Sequence, residues 1–478
     1  MARDPVFELD LTLPPPGART RVRDLHGQLR AAIFDGRLKP GLQVPPSRAL
    51  ASRLAVSRNT VVSVYELLLA EGYLVARTGS GTYVGEVSRP GSATPPAAAS
   101  AADPRLAPAW RDIRAQRALR PSFAFDFALG LPEVSLAPFD VWRQLANRAL
   151  RATARRAAAY LEAEGRPALR EAVARHAAFA RAVACTPDSV LITSGAQQAF
   201  DLLARVLVTP GETVVAVEDP GYAPVRAPFA RLGAIVRPTP VDDEGLVVDA
   251  LAPDTRVVCV TPSHQFPLGV PMSPARRAAL LAFAARHGAV VVEDDYDGEF
   301  RFDGRPLDAL QTLDRHACVA YVGTFSKSLF PGLRLGYVVA PDWARAALAE
   351  AKRIADGRTP TDTQETLAAF IAEGHLARHV RRMRKVYGER RNRLMEALTR
   401  QMPGRLLPAV AGLHLAIELP PDIDATALSV RAERAGIAVA PLSRFHAGGG
   451  VRNGLAFGYG VVDPRRIDDG IRHLAGLV

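Results

Sequence analysis

Short apolar runs alternate with longer helix-like stretches along most of the chain, from Phe123 onward. The clearest of these runs are Thr213–Val217, Val257–Val260, Ala289–Glu293 and Val319–Val322. A strand that is apolar at nearly every position has both of its faces buried, and strands that alternate with helices form parallel sheets. The pattern therefore predicts an α/β domain whose mostly parallel sheet is covered on both faces.

The N-terminal part of the chain has a different pattern. Residues 46–69 have the spacing of two short helices, with Ser47 and Ser57 placed to cap them, because a serine hydroxyl accepts from the first free N–H groups of a helix. The apolar positions expected to face inward are Leu50, Leu54, Val61, Val64, Tyr65 and Leu68. Residues 73–84 predict a β-hairpin with a glycine-rich tip, so this region is typical of a winged helix-turn-helix.

Residues 85–121 separate these two patterns. They contain Pro90, Pro95, Pro96, Pro104 and Pro108 and few groups that could pack, which is typical of a linker. We therefore predict a DNA-binding-type module over residues 1–84, a flexible linker over 85–121 and an α/β domain over 122–478. The α/β domain is expected to end in a smaller α+β subdomain over about 350–478.

Composition and charge narrow the function. The chain has 478 residues with 60 Lys+Arg against 49 Asp+Glu, a net charge of +11 that favours polyanionic partners. Three widely spaced cysteines predict neither a disulfide framework nor a zinc site, and we expect no bound metal. The absence of a membrane-length apolar run and of a signal-peptide pattern favours a cytoplasmic protein without a membrane partner.

The candidate chemistry lies in four segments of the α/β domain. Residues 323–337 read GTFSKSLFPGLRLGY and contain Lys327, the only lysine between Lys39 and Lys352. Residues 289–300 form a buried-type strand that ends in carboxylates, and residues 193–200 are typical of a strand-to-helix turn whose free N–H groups can hold a phosphate. Residues 218–222, EDPGY, complete the set. Together they predict an amine nucleophile beside a phosphate cradle.

The order of these parts resembles the MocR/GabR-type transcriptional regulators, in which a GntR-family winged helix-turn-helix is fused to a fold-type I aminotransferase-like domain. The resemblance implies double-stranded operator DNA as partner and pyridoxal 5′-phosphate (PLP) as cofactor. The N-terminal residues it implicates in DNA binding are Arg48, Ser57, Arg58, Asn59, Thr60 and Gly79.

The same resemblance assigns roles in a PLP site. Lys327 would form the Schiff base, Asp294 would pair with the pyridine nitrogen, Tyr296 would bond the phenolic oxygen and Tyr222 would stack on the ring. The residues implied to hold the phosphate are Ser194, Gly195, Ala196, Thr324, Arg334 and, from a partner subunit, Tyr160. A phosphate contact from a second subunit implies a homodimer.

Three positions depart from the aminotransferase pattern. The position of the arginine that usually binds the substrate carboxylate holds Ala456, and whether Arg452 or Arg226 replaces it is left open by the sequence. Phe266 stands where aminotransferases have an asparagine, and His264 is expected to be structural. These departures weaken the case for efficient transamination.

Two interpretations of the large domain therefore remain. In the first, the protein is a regulator that senses an amine, an amino acid or PLP itself, with at most a vestigial half-reaction. In the second, it is an active PLP-dependent aminotransferase with an accessory DNA-binding domain. Asp295, Asp297 and Glu299 are expected to be solvated or ion-paired. The basic stretch His375–Arg405 is interpreted as a solvated helix face, with a secondary DNA contact as the alternative.

Overall fold

The computed structural model describes residues 9, 11–15, 20–86, 105–111, 121–154, 162–302, 307–448 and 452–478. The chain divides into two compact units, Met1–Asp103 and Pro104–Val478. In the described ranges, no helix combines the length and the apolar character needed to cross a bilayer.

The N-terminal unit is the predicted winged helix-turn-helix. It contains helices α1 (Arg21–Phe34), α2 (Ser47–Arg53) and α3 (Arg58–Ala70) and the antiparallel strands β1 (Leu74–Arg77) and β2 (Gly81–Val84). Leu50, Val61, Val64, Tyr65 and Leu68 are buried, and Leu54 packs against them while partly exposed. The apolar spacing therefore identified the face of each helix correctly.

The two predicted helix caps had different outcomes. Ser57 is the N-cap of α3, and its hydroxyl accepts a hydrogen bond from the N–H of Thr60 at 3.1 Å, as predicted. Ser47 does not cap α2. Pro46 occupies the N-cap position, and Ser47 is the first residue inside the helix, where its hydroxyl makes no capping bond.

The second unit is built on an eight-stranded sheet. In sheet order the strands, numbered along the chain, are β4 (Val190–Thr193), β11 (Gly336–Val339), β10 (Val319–Thr324), β9 (Val290–Asp295), β8 (Thr255–Val260), β5 (Val214–Asp219), β6 (Ile235–Asp242) and β7 (Gly245–Leu246). The five strands from β10 to β6 run parallel, β11 pairs antiparallel with both β10 and β4, and β7 pairs antiparallel with β6. The mostly parallel sheet is confirmed.

Helices cover both faces of this sheet. The helices of the unit are α4 (Phe139–Thr153), α5 (Pro167–Arg181), α6 (Ala196–Leu207), α7 (Ala223–Arg231), α8 (Pro274–His287), α9 (Leu310–Leu313), α10 (Asp342–Asp356), α11 (Thr361–Ala372), α12 (His375–Gln401), α13 (Ala425–Arg434) and α14 (Ile467–Ala475). Val292 packs with α6 and α10, whereas its neighbour Val291 packs with α8, because side chains alternate along a strand.

A smaller four-stranded sheet lies toward the C-terminus. Its strands, in sheet order, are β12 (Arg405–Leu406), β13 (His414–Glu418), β16 (Gly454–Gly458) and β15 (Ala440–Pro441). A separate pair joins β14 (Ile437–Ala438) to β3 (Phe125–Asp126). The first residue of β13, His414, brings this sheet to the cavity described below.

Candidate functional site

A cavity of about 330 Å³ lies at the carboxyl ends of the parallel strands. Its wall is formed by residues after β9 and β10, the start of α6 and the start of β13. Because the carboxyl ends of parallel strands meet at one edge of a sheet, polar residues from distant motifs converge there. The residues predicted for the site that line the cavity are Ala196, Tyr222, Asp294, Tyr296, Thr324, Lys327 and Arg334.

Lys327 provides the side-chain amine of this cavity. Its Nζ donates a hydrogen bond to the carbonyl of Gly130 at 2.6 Å. Burial lowers the pKa of Lys327 below its usual value, although Asp294 and Asp297 act in the opposite direction. A lowered pKa increases the fraction of neutral amine, which is the nucleophilic form. Gly130 leaves room for this side chain, since a Cβ at that position would lie 3.1 Å from Nζ.

Asp294 is the carboxyl group of the cavity that lacks a partner. It lies near the end of β9 on the same face as Val292, and its Oδ1 is buried without a hydrogen-bond partner among the described residues. Burial raises the pKa of Asp294 well above its usual value, and the charges of Asp295 and Asp297 add to the effect. A cationic N–H donor placed in the cavity would satisfy this oxygen and stabilise its ionised form.

The neighbouring carboxyl groups on β9 each accept hydrogen bonds from specific partners, although the Oδ1 of Asp295 also lacks a partner among the described residues. Asp295 accepts from the Nε of Arg181 at 2.5 Å and from the hydroxyl of Tyr321 at 2.7 Å. Glu293 accepts from the N–H groups of Leu310 and Gln311 at 2.7 and 2.9 Å. Both residues point to the face opposite Asp294, because side-chain direction alternates along the strand.

Asp295, Asp297 and Glu299 were expected to be either solvated or ion-paired. The structure agrees with ion pairing and not with solvation. Asp295 and Asp297 are buried, and each is held by a specific partner, Arg181 and His264 respectively. Glu299 is partly buried, 3.8 Å from the Nε2 of His176. An acidic run predicts solvent exposure only when its strand ends at the surface, and β9 ends in the interior.

Aromatic rings form one side of the cavity. Tyr222 and Phe266 meet edge to face with ring centroids 5.2 Å apart, and Phe266 also contacts the ring of His414 at 5.2 Å. The hydroxyl of Tyr296 lies 3.0 Å from both the Nδ1 and the carbonyl oxygen of His264. The side of the cavity that Phe266 occupies is thus apolar where aminotransferases carry an amide.

The predicted phosphate cradle lies at the N-terminus of α6. Gly195 is the N-cap residue with φ +83°, and a Cβ there would lie 3.0 Å from the guanidinium of Arg334. Arg334 donates to the carbonyl of Ser194 at 3.1 Å. The N–H of Ser194 is taken by Gln198 at 2.7 Å, so Ser194 lies behind the cradle and does not line the cavity.

Several residues of the cavity wall were missed by the sequence analysis, among them Gly130 and two polar residues. Gln197 and Ser326 line the cavity beside the predicted Ala196 and Lys327. Gln197 and Ser326 are each adjacent in sequence to a predicted site residue, and this adjacency is the sequence feature that could have identified them.

The sequence analysis also missed a polar cluster behind the cradle, formed by Gln198, Lys352 and Asp356 and called the brace below. The buried Lys352 donates to Asp356 at 2.9 Å and to the Oε1 of Gln198 at 3.1 Å. Gln198 in turn donates to Asp356 at 2.7 Å. The brace fixes the first turn of α6 to α10, and no local sequence signal pairs Gln198 with residues so distant in the chain.

Neither candidate replacement for the carboxylate-binding arginine lines the cavity. Arg452 donates to Glu418 at 3.0 Å and to the carbonyl of Val241 at 2.8 Å. Arg226 lies on α7 beside a separate small pocket. Ala456 is buried within β16. Among the described residues, Lys327 and Arg334 are the only lysine or arginine side chains of the cavity wall.

Tyr160, the predicted phosphate contact from a partner subunit, lies outside the described residues. Its role remains a prediction.

The residues predicted to contact DNA lie at the start of α3, on the neighbouring helix α2 and at the tip of the wing between β1 and β2. Arg58 and Asn59 are exposed in the first turn of α3, and Arg48 is exposed on α2. The hydroxyls of Ser57 and Thr60 share a hydrogen bond of 2.8 Å. Gly79 is exposed at the wing tip with φ +76°, and no described atom lies within 4 Å of the position that a Cβ would take there. The start of α3 is therefore free to approach a partner.

Comparison with known proteins identifies both units. Residues 22–84 match the family described as bacterial regulatory proteins, gntR family, and residues 127–457 match aminotransferase class I and II. The chain is 37% identical to the probable rhizopine catabolism regulatory protein MocR of Rhizobium meliloti, over 95% of this chain and 92% of that protein. It is 31% identical to the pyridoxine biosynthesis regulator PdxR of Corynebacterium glutamicum, over 95% of each chain.

Solved structures match the second unit. The kynurenine aminotransferase of Pyrococcus horikoshii shares 32% identity with a TM-score of 0.68, over 73% of this chain and 89% of that chain. The expected fold-type I aminotransferase architecture and its PLP cofactor are thereby confirmed.

The residues of the cavity fit PLP. The unpartnered Asp294 suits the pyridine nitrogen, and Lys327 presents an amine with a lowered pKa. The open N-terminus of α6 and the guanidinium of Arg334 suit a phosphate at the other end.

Gly195→Ala tests the cradle. A methyl group there meets Arg334 at 3.0 Å, in a backbone conformation that disfavours a side chain, so we expect PLP affinity to fall about tenfold or more. Spectroscopic titration of the apoprotein with PLP measures the change. Gly211→Ala is the matched control, because Gly211 has φ +78° but no described atom within 4 Å. Equal losses in both variants would show that backbone strain, not the Arg334 contact, causes the effect.

Proposed function

The chain belongs to the MocR-type regulators, PLP-dependent transcription factors that join a GntR-family DNA-binding domain to an aminotransferase-like domain, and we propose that its large domain senses a small ligand at the cavity around Lys327. The ligand is an amine, an amino acid or PLP itself. The observation that carries the proposal is the presence of a complete PLP-type cavity in a chain that also carries a winged helix-turn-helix.

The proposed roles of the cavity residues follow from their positions. Bound PLP supplies an aldehyde that reacts with amines and a ring that withdraws electrons. Lys327 provides the attacking amine, and Asp294 stabilises positive charge on the ring nitrogen. Tyr296 donates to the phenolic oxygen, and Tyr222 covers the ring. Ala196, Thr324 and Arg334 hold the phosphate, while Ser194 and Gly195 shape the turn that precedes them.

PLP itself is a candidate signal on two grounds. The described cavity wall offers no second arginine for a ligand carboxylate, since Arg452 is held by Glu418. The similar protein PdxR is named as a regulator of pyridoxine biosynthesis. A ligand switches the protein only if it binds one conformation more tightly than the other.

The DNA-binding proposal assigns contacts to individual residues. Arg58, Asn59 and Thr60 at the start of α3 read base edges in the major groove, Arg48 and Ser57 contact phosphates, and Gly79 brings the wing close to the backbone of the DNA. A homodimer would present two such units to the halves of an operator, and we expect it to act in the cytoplasm.

The alternative function is an active aminotransferase with an accessory DNA-binding domain. It is favoured by the 32% identity to a kynurenine aminotransferase over 73% of the chain. Phe266 and Ala456 oppose it, because Phe266 takes the place of one of the two polar contacts expected at the phenolic oxygen, and Ala456 takes the place of the arginine that fixes the carboxylate of the substrate.

Arg58→Ala tests the DNA contact. We expect affinity for DNA from upstream of the gene to fall about tenfold or more, since the loss of one base contact weakens specific binding by roughly this amount. A fluorescence-anisotropy titration, with and without PLP, provides the measurement. Arg23→Ala removes another exposed charge, from α1, and serves as the control. Binding of random DNA with equal affinity in all proteins would contradict the assignment.

Lys327→Ala tests the cofactor role. We expect no covalent PLP adduct after borohydride reduction, as judged by mass spectrometry, and no effect of PLP on DNA affinity. Lys385→Ala, which changes an exposed lysine on α12, should behave like the natural chain. An adduct on a lysine other than Lys327 would refute the assignment.

Incubation with candidate amino donors separates the two functions. For a sensor we expect at most one equivalent of PLP to be converted to its amine form, with no keto-acid release over multiple turnovers. Release of many equivalents of keto acid per protomer, measured by a coupled assay, would establish the enzyme instead.

A further inference from the structure

His264 is buried between two residues of the segment that follows β9. Its Nδ1 lies 3.1 Å from the Oδ2 of Asp297 and 3.0 Å from the hydroxyl of Tyr296. The same hydroxyl lies 3.0 Å from the carbonyl oxygen of His264. One histidine therefore contacts the Tyr296 hydroxyl twice, once through its ring and once through its backbone.

These partners assign the proton of the imidazole. A carboxylate accepts hydrogen bonds and cannot donate one, so the Nδ1 facing Asp297 carries the hydrogen. The Tyr296 hydroxyl can then accept a share of that N–H, while it donates its own hydrogen to the carbonyl of His264 and would turn that hydrogen to the phenolic oxygen when PLP binds. Asp297 thus fixes both the tautomer and the orientation of the His264 ring.

The His264 ring is closely packed by two loops. Gly412 has φ +81°, and a Cβ there would lie 2.0 Å from the Cε1 of His264 and 2.5 Å from Asp297. A Cβ at Gly269 would lie 3.4 Å from the Nε2 of His264. Two loops thus approach the ring at glycines, and the His414 ring lies with its centroid 4.5 Å away.

We propose that His264 and Asp297 are positioning residues for Tyr296, and that they hold its hydroxyl at the place where it meets the phenolic oxygen of bound PLP. The inference rests on the role proposed for Tyr296 above. It assigns a function to a buried pair of which Asp297, but not His264, lines the cavity. Phe266 offers no polar group to the phenolic oxygen in this chain. The pair therefore supports the polar contact to that oxygen through the hydroxyl of Tyr296.

The charges around Tyr296 agree with a donor role. The ionisable groups that face it include His264 and His414, and those whose charge acts on its pKa are Asp297, Asp294, Glu218 and Tyr459. Burial, with the negative charges of the carboxylates, raises the pKa of Tyr296 well above its usual value. The phenol therefore keeps its hydrogen. Burial, His264 and Lys327 lower the pKa of His414 well below its usual value, so that ring is neutral and adds no charge.

The test is the pH dependence of the absorption of bound PLP in the full-length protein. A hydrogen bond to the phenolic oxygen withdraws negative charge from that oxygen. The nitrogen contributed by Lys327 then binds its proton less tightly, so the pKa of that nitrogen is lower. Tyr296→Phe should therefore raise the pH midpoint of the absorption change, by about one unit for the loss of a hydrogen bond to a charged group. We expect His264→Phe and Asp297→Asn to raise the midpoint in the same direction.

Two further variants distinguish positioning from general damage. In the Tyr296→Phe background, His264→Phe should add no further shift, because the two residues act through one hydrogen bond. His264→Asn, whose amide places an N–H close to the position of Nδ1, should return the midpoint toward that of the natural protein. His379→Gln changes a buried histidine on α12 and should leave the midpoint unchanged.

The outcomes separate this inference from the proposed function. A midpoint that moves in Tyr296→Phe but not in His264→Phe or Asp297→Asn overturns the positioning role and leaves the PLP site intact. Additive shifts in the double variant also overturn it. If the natural protein gains no pH-dependent absorption band with PLP, the proposed site at Lys327 fails and the inference fails with it.

Discussion

The burial of several carboxyl groups at one edge of the parallel sheet is the constraint on which the rest of the site depends. A buried carboxylate destabilises a protein unless it is paired or hydrogen-bonded. The groups that have partners are Glu218 with Thr261, Glu293 with two backbone N–H groups, Asp295 with Arg181, and Asp297 with His264. Asp294 has an unpartnered oxygen among the described residues and lines the cavity, whereas the unpartnered Oδ1 of Asp295 belongs to a carboxyl group whose other oxygen is held by Arg181. Asp297 also lines the cavity but is held by His264, so Asp294 is the carboxyl group left available to the cofactor.

The other parts of the site are held in place before the cofactor binds. Lys327 is tied to a backbone carbonyl, and the turn before α6 is held by Lys352 and Asp356 through Gln198. A cofactor entering such a site meets groups that are already oriented, so little ordering is required when it binds. The polar groups of the cavity would hold PLP, whereas Phe266 and Ala456 are apolar at the positions where aminotransferases carry polar groups.

That distribution suits a sensor better than a catalyst. A transaminase must hold the carboxylate of each substrate through the whole reaction, and in this chain Arg452 is committed to Glu418. A sensor needs only a difference in affinity between two conformations, which a cofactor-bearing cavity can supply without turnover. An aminotransferase fold can therefore serve regulation as well as catalysis, since function resides in the site and not in the fold.

The sequence by itself determined the elements and the order of the motifs: the parallel strands from their apolar runs, the cap at Ser57 from a serine before a helical period, and Lys327 from its glycine-bounded segment. These signals are local, and their physical causes act within a few residues. Only the tertiary structure decided which carboxyl groups of the acidic run reach the cavity, that Arg452 is occupied, and that His264 meets Tyr296 and Asp297. Such pairings join residues tens to hundreds of positions apart, and they depend on the direction in which a strand turns each side chain and on which loops approach each other.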